Sequence, residues 1–158
     1  MRLLPIFPLL AAAILSSGCE VEPIATRIPF DGGERSAQPR LTSDLDGTPI
    51  LSWLRRDGRE SVLGFARIER NGPGAVREVV RSDRMFINWA DFPSVTPFSE
   101  STWFAHWLRR RVDSGAYDIA TAISRDGGLT WTEAEQLNDD DAEAEHGFVR
   151  MFDWGGDL

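Results

Sequence analysis

Acid–base chemistry needs aspartate, glutamate or histidine side chains brought together where strands begin or connect, and this 158-residue chain offers few of them in suggestive places. Asp91, in Asn88-Trp89-Ala90-Asp91-Phe92-Pro93, stands just before a strand-like run. His146, in Glu145-His146-Gly147-Phe148, holds the matching place before a later run, and His106 precedes Trp107 inside a strand. An aspartate and two histidines so placed could form an acid/base or sugar-binding cluster. The same residues also suit plainer work: a turn cap for Asp91, ordinary hydrogen-bonded strand or turn positions for the histidines. Arg40, beside Pro39 at the start of the first strand-like run, could grip an anion or remain a surface charge.

The elements that must position these residues follow an internal repeat. Trp53-Leu54-Arg55-Arg56 recurs as Trp107-Leu108-Arg109-Arg110, a shift of 54 positions, and Pro39 recurs as Pro93 in the same register. Short β-prone runs fill each unit: Pro39–Thr42, Ile50–Arg55, Val62–Ile68 and Val76–Val80, then Ser94–Thr96, Thr102–Arg110, Tyr117–Ser124 and Trp131–Leu137. Turns are expected at Asp46-Gly47, Asp57-Gly58 and Asn71-Gly72. In Tyr117–Ser124 the larger residues Tyr117, Ile119, Thr121 and Ile123 alternate with smaller ones, as a sheet covered on both faces requires. No segment has convincing helical periodicity beyond the N-terminal apolar run, so the chain is predicted to be all-β. A repeat of roughly 40–50 residues carrying four short strands is the pattern of propeller blades.

One turn is more specific. Ser124-Arg125-Asp126-Gly127-Gly128-Leu129-Thr130-Trp131 places two short acceptor side chains ahead of two glycines that tolerate positive φ, followed by a β-prone threonine and an indole able to cover the turn. With Ser124, Asp126, Gly128, Thr130 and Trp131 at fixed spacing it reads as an Asp-box, and Glu69-Arg70-Asn71-Gly72-Pro73-Gly74 looks like a decayed copy one repeat earlier. The plainer alternative is an ordinary Asp-Gly hairpin with a tryptophan nearby. On this motif and the repeat, residues 36 to 158 resemble the bacterial sialidase-like β-propeller family.

The resemblance implies about two four-stranded blades, near residues 37–90 and 91–145, and the start of a third near residue 146. Phe148-Val149-Arg150-Met151-Phe152 would be its first strand and Trp154-Gly155-Gly156 its first turn. Because blades bury their faces only against neighbours, the chain is expected to be the N-terminal piece of a longer protein or, less simply, to self-associate. The implied activity is that of a retaining exo-sialidase or related glycosidase. Family catalysis uses a tyrosine nucleophile with a glutamate partner, an aspartate acid/base and three arginines, and it departs from the two-carboxylate scheme. Asp-box residues are structural in that family. The sole tyrosine, Tyr117, lies mid-strand in the second unit and is expected to pack rather than react. Arg27-Ile28-Pro29 spells the tripeptide that carries one family arginine, but it stands about ten residues ahead of the first strand-like run. This piece alone is expected to be inactive. The alternative is a non-catalytic propeller binding glycan or protein at the cell surface.

The N-terminus concerns location. Arg2 precedes the apolar run Leu3–Leu15, too short for a membrane span and suited to a secretory signal. Leu15-Ser16-Ser17-Gly18-Cys19 resembles a bacterial lipoprotein signal, which implies residues 1–18 removed, Cys19 lipid-modified, and sorting to the outer membrane in view of Glu20. Cys19 is the only cysteine, so no intrachain disulfide can form, and a free thiol left by a plain secretory signal is the alternative. Residues 19–36, with Pro23, Pro29, Gly32 and Gly33, read as a poorly ordered tether. The net charge of −8 argues against nucleic acid as a partner. Asp139, Asp140, Asp141, Glu143 and Glu145 read as a solvated loop; closely spaced carboxylates could also hold a hard cation such as Ca²⁺, but the spacing does not match an EF-hand loop, and no metal or cofactor is assigned. The expected partners are a sialoglycoconjugate or other glycan, the membrane through Cys19, and further blades.

Overall fold

The computed structural model describes residue 25, residues 27–112 and residues 114–152. Among these the chain is all-β, without a helix, and forms two five-stranded antiparallel sheets. The first is built from β1 (Ala37–Ser43), β2 (Pro49–Asp57), β3 (Glu60–Glu69), the two-residue β4 (Gly72–Pro73) and β5 (Arg77–Ser82), with β1-β2-β3-β5 as its meander. The second contains β6 (Met85–Phe86), β7 (Ser94–Pro97), β8 (Trp103–Arg110), β9 (Tyr117–Ser124) and β10 (Glu135–Gln136). Its meander is β7-β8-β9-β10, and β6 pairs with the far end of β8. The long strands fall where alternation and turn chemistry put them; β10 occupies only two residues of the run expected at Trp131–Leu137, β4 overlaps the expected turn at Asn71-Gly72, and β6 falls in none of the expected runs.

Local chemistry sets the turns. Asp57 pairs with Glu60 across a two-residue loop, with Gly58 at φ 60° supplying the positive φ that suits a tight hairpin. Between β1 and β2, Gly47 at φ 81° donates its N–H to the Asp44 carbonyl at 3.0 Å, and the Asp46 carboxylate accepts from Thr48 N at 2.9 Å. The decayed turn at residues 69–74 and the Asp-box at residues 124–131 follow the third strand of their meanders, β3 and β9.

The main core lies between the sheets. Ile50, Leu54, Leu63 and Phe65 from the first meet Val95, Trp103, Ala105, Trp107, Ala120 and Ala122 from the second. The alternation in β9 divides as expected: Ala120 and Ala122 face this core and admit the first sheet closely, while Tyr117 and Ile119 join Leu108 in a second cluster covered by Phe86 and Val149. The repeated Trp-Leu pair obeys one rule. Trp107 and Leu54 both point into the shared core, Leu108 points to the far face of the second sheet, and Trp53 is buried apart from that core. In each sheet the tryptophan and the following leucine thus take opposite faces, as a strand's period of two dictates.

The face bearing Trp53 is covered by the chain itself. Phe30 meets the Trp53 ring edge-on with centroids 4.7 Å apart, and the indole N–H donates to the Gly32 carbonyl at 2.8 Å. Arg56 N donates to the Glu34 carbonyl at 3.0 Å. The described part of the segment read as a poorly ordered tether thus touches β2 through Phe30, Gly32 and Glu34, while most of its side chains stay exposed. The signal sequence and Cys19 lie outside the described residues, as do Trp154, Gly155 and Gly156.

Candidate functional site

A cleft of about 220 Å³ opens where β1 and β8 approach the segment that follows the second sheet. Arg40 enters it from β1, His106 from β8, Asp91 from the loop before β7, and Phe148 and Arg150 from the chain beyond β10. Arg40, Asp91 and His106 were each legible as candidates in the sequence, and the fold brings all three to one place. β1 and β7, the first strands of the two meanders, are tied together nearby by Thr42 Oγ1, which donates to the Val95 carbonyl at 2.6 Å.

Asp91 is buried and well provided with donors. Asn88 Nδ2 donates to Oδ2 at 2.7 Å and the Phe148 backbone N–H donates to Oδ1. Asn88 Oδ1 in turn accepts from Ala90 N at 2.8 Å and Asp91 N at 2.7 Å, closing an Asx-type turn. A Cβ at Gly147 would stand 2.6 Å from Asp91 Oδ1, so only glycine lets the chain pass so close to the carboxylate. Behind Asn88 stands Gln38, whose Nε2 donates to the Asn88 carbonyl. Gln38 has φ 52° at the irregularity where β1 joins β2 and is buried with Oε1 unpartnered among the described residues. Such a left-handed, buried polar residue beside a cleft stores local strain that its surroundings must hold.

His106 is buried, and its Nδ1 has no hydrogen-bond partner among the described residues. Burial first, then the Arg40 charge, push its pKa from 6.5 down to about 4, while the Phe92 backbone and Asp91 pull weakly the other way. At neutral pH it is an uncharged imidazole, able to donate through one nitrogen and accept through the other.

His146 does not join the cleft. Its Nε2 lies 3.0 Å from Asp140 Oδ1 and its Nδ1 3.3 Å from the Tyr117 carbonyl, on the side of a polar knot centred on Asp118. Arg111 grips Asp118 through Nε and Nη2 at 2.9 and 2.6 Å, and Asn138 Nδ2 adds a bond at 3.2 Å. The Arg111 hydrogen bonds hold the Asp118 carboxyl below the usual range. The three-residue cluster of Asp91 with both histidines is thus reduced to Asp91 and His106, because the chain turns between His146 and Phe148 and sends only the backbone of 147–148 to Asp91. Tyr117 is buried against Phe86, with ring centroids 4.3 Å apart, and burial followed by the Glu145 charge raises its pKa. Arg27 is exposed and is not among the cleft residues. No three His, Cys, Asp or Glu side chains converge as a metal site requires among the described residues.

Sequence reasoning overlooked Arg150, Asn88 and Gln38. Asn88 carried a usable signal, an asparagine three residues before an aspartate in a short polar turn. Gln38 carried none, since its conformation is imposed by the bulge.

The Asp-box is built as its composition suggests. Ser124 Oγ accepts from Gly128 N at 2.8 Å, and Asp126 Oδ1 accepts from Thr130 N at 2.8 Å and Leu129 N at 3.0 Å. Thr130 Oγ1 donates to Asp126 Oδ2 at 2.6 Å, and this bond leads those that lower the Asp126 pKa to about 2. Trp131 packs on Phe65 across the sheets, with centroids 6.1 Å apart. Asp126 and Thr130 spend their polar groups on the turn itself, and none of the five motif residues lines the cleft.

These features define a blade-type all-β protein with a small cleft of mixed polar and apolar lining beside β1 and β8. No protein-family model matches the chain, and no curated protein matches it. Among solved structures it is similar to an endo-arabinase from Bacteroides thetaiotaomicron, with 20% identity and a TM-score of 0.56 over 76% of this chain and 49% of that one. It is also similar to an endo-1,4-beta-xylanase from the same organism, with 18% identity and a TM-score of 0.46 over 68% of this chain and 38% of that one. The first likeness supports the β-propeller fold. The chain spans about half the length of that arabinase, at 49%.

Proposed function

We propose that the chain supplies the opening blades of a sialidase-like glycoside hydrolase of the cell envelope, and that its cleft is part of the glycan-facing surface. The observation that carries this reading is the convergence of Arg40, Asp91 and His106, from separate elements, on one cleft beside β1 and β8. A cation, a carboxylate and a neutral imidazole there can bind hydroxyl and carboxylate groups of a sugar and can move a proton. The likeness to an endo-arabinase supports a carbohydrate-active role, and the Asp-box supports the sialidase-like assignment. Cys19 is the proposed lipid attachment point that would hold the protein at the outer membrane. Partners are then the glycan, the membrane through that lipid, and the blades that complete the ring.

A second reading, a non-catalytic glycan-binding propeller, is favoured by one observation. Both Asp91 oxygens already accept hydrogen bonds, one from Asn88 and one from Phe148, which suits a fixed binding group better than a proton shuttle. Purified chain should be titrated calorimetrically with 3′-sialyllactose and α-1,5-arabinotriose and assayed with a fluorogenic sialoside and with arabinan. Binding of one sugar, weakened by Arg40→Gln and by Asp91→Asn, is expected without turnover. Turnover by the chain alone would overturn its proposed incompleteness, and binding of neither sugar would overturn the glycan reading.

A further inference from the structure

Trp89, next in sequence to the cleft-lining Ala90 and Asp91, is placed unlike the other described tryptophans. Trp89 is 91% exposed, whereas Trp53, Trp103 and Trp107 are buried and Trp131 packs against the inter-sheet core. An indole is a large apolar plate, and leaving it in water forgoes the burial that its relatives obtain. The backbone that carries it is held in place. Asn88 Oδ1 pins the backbone of the next two residues through Ala90 N and Asp91 N, Asn88 Nδ2 is tied to Asp91, and the Asn88 carbonyl is held by Gln38. Because the loop backbone is already ordered, a ligand settling on the ring has to fix only the two side-chain torsions of Trp89 and not the loop.

Its surroundings select the partner. Ala90 and Asp91, directly after Trp89, line the cleft, and within the cleft His106 keeps a buried, unpartnered Nδ1 beside Arg40. A flat apolar surface next to unspent polar groups matches a molecule with a C–H face and hydroxyl edges, which is the chemistry of a sugar ring. A protein partner anchored on Trp89 would instead bring the Asp91 and Arg40 side of the rim under cover and have to meet those charges. Size adds a condition. At about 220 Å³ the cleft falls below the roughly 300–1,000 Å³ of pockets that enclose drug-sized ligands, so it has room for a single ring.

We propose that Trp89 is the stacking platform of a second sugar subsite adjoining the cleft at Asp91, so that the ligand is a chain of at least two sugar rings. This rests on the glycan reading above. The cleft supplies orientation through Arg40, Asp91 and His106, and Trp89 supplies affinity for the ring beyond.

The test is calorimetric titration of the full chain with 3′-sialyllactose and α-1,5-arabinotriose, each beside its single sugar, N-acetylneuraminic acid or arabinose. Parent, Trp89→Ala and Trp89→Phe proteins are compared, with thermal melting to verify that the exposed substitutions leave the fold intact. For one of the two series the oligosaccharide is expected to bind the parent more tightly than its single sugar. Trp89→Ala should weaken oligosaccharide binding about 3- to 10-fold, the range of an aromatic contact, with single-sugar binding unchanged and with Trp89→Phe restoring most of the loss. Oligosaccharide affinity that is equal in parent and Trp89→Ala, or equal to that of the single sugar, would overturn the subsite and leave the glycan reading standing. Absence of binding by every sugar would instead overturn the glycan reading, and the subsite with it.

Discussion

His106 couples the cleft to acidity. With its folded pKa at about 4 and its unfolded value at 6.5, the unfolded chain takes up the proton first as pH falls. Its contribution to stability is complete above pH 6.5 and is lost progressively down to about pH 4, a total of about 3 kcal/mol for this buried ring. Thermal melts across that window should show the parent losing stability more steeply than His106→Gln, and parallel slopes would refute the assignment. Ser124 is the second sensitive residue. It is fully buried and its Oγ takes the Gly128 N–H, so Ser124→Ala should cost about 1–3 kcal/mol by urea denaturation through an orphaned donor. Residue types and their distance from strand starts were enough to nominate Asp91, His106 and Arg40. They could not separate His146 from that group, because its exclusion depends on Asp140 and the Tyr117 carbonyl, contacts across 6 and 29 positions of chain.

Turns and strand faces form the next scale. Gly128 has φ 80°, and a Cβ there would lie 2.8 Å from Phe65 Cζ and 3.2 Å from Trp103 Cε3. Gly128→Ala therefore combines a left-handed alanine with overpacking of two aromatic rings and should cost roughly 2–4 kcal/mol in chemical denaturation. Gly47→Ala is the control, since its Cβ would meet nothing within 4 Å and only the φ penalty at 81° remains. Period-two alternation with Gly- and Asp-marked turns located the long strands because both signals are local. The short elements were hidden for a related reason. β10 is brief because the Thr132 hydroxyl, at 3.0 Å, takes the Ile123 N–H that a neighbouring strand's carbonyl would otherwise accept. β6 exists because the chain leaving β5 crosses to the second sheet and buries Met85 there, a move set by tertiary packing.

The sheets share one core and so should share one unfolding transition. Trp107 reaches that core from the second sheet, and Trp107→Ala should cost about 3–5 kcal/mol while keeping far-UV circular dichroism and tryptophan fluorescence coincident. Two separated transitions would contradict the stacked arrangement. The internal shift of 54 positions made the stacking of like units legible, whereas the number of units in a ring is a property of inter-sheet angles that one repeat does not encode. The covering of Trp53 by Phe30, Gly32 and Glu34 has a mechanical side as well. Tension arriving from the N-terminus meets one edge-on aromatic contact and two hydrogen bonds before it reaches the β1 ladder and Arg40. Those contacts, rather than the β1 ladder, are the ones that a pull on the chain ahead of Phe30 would load first.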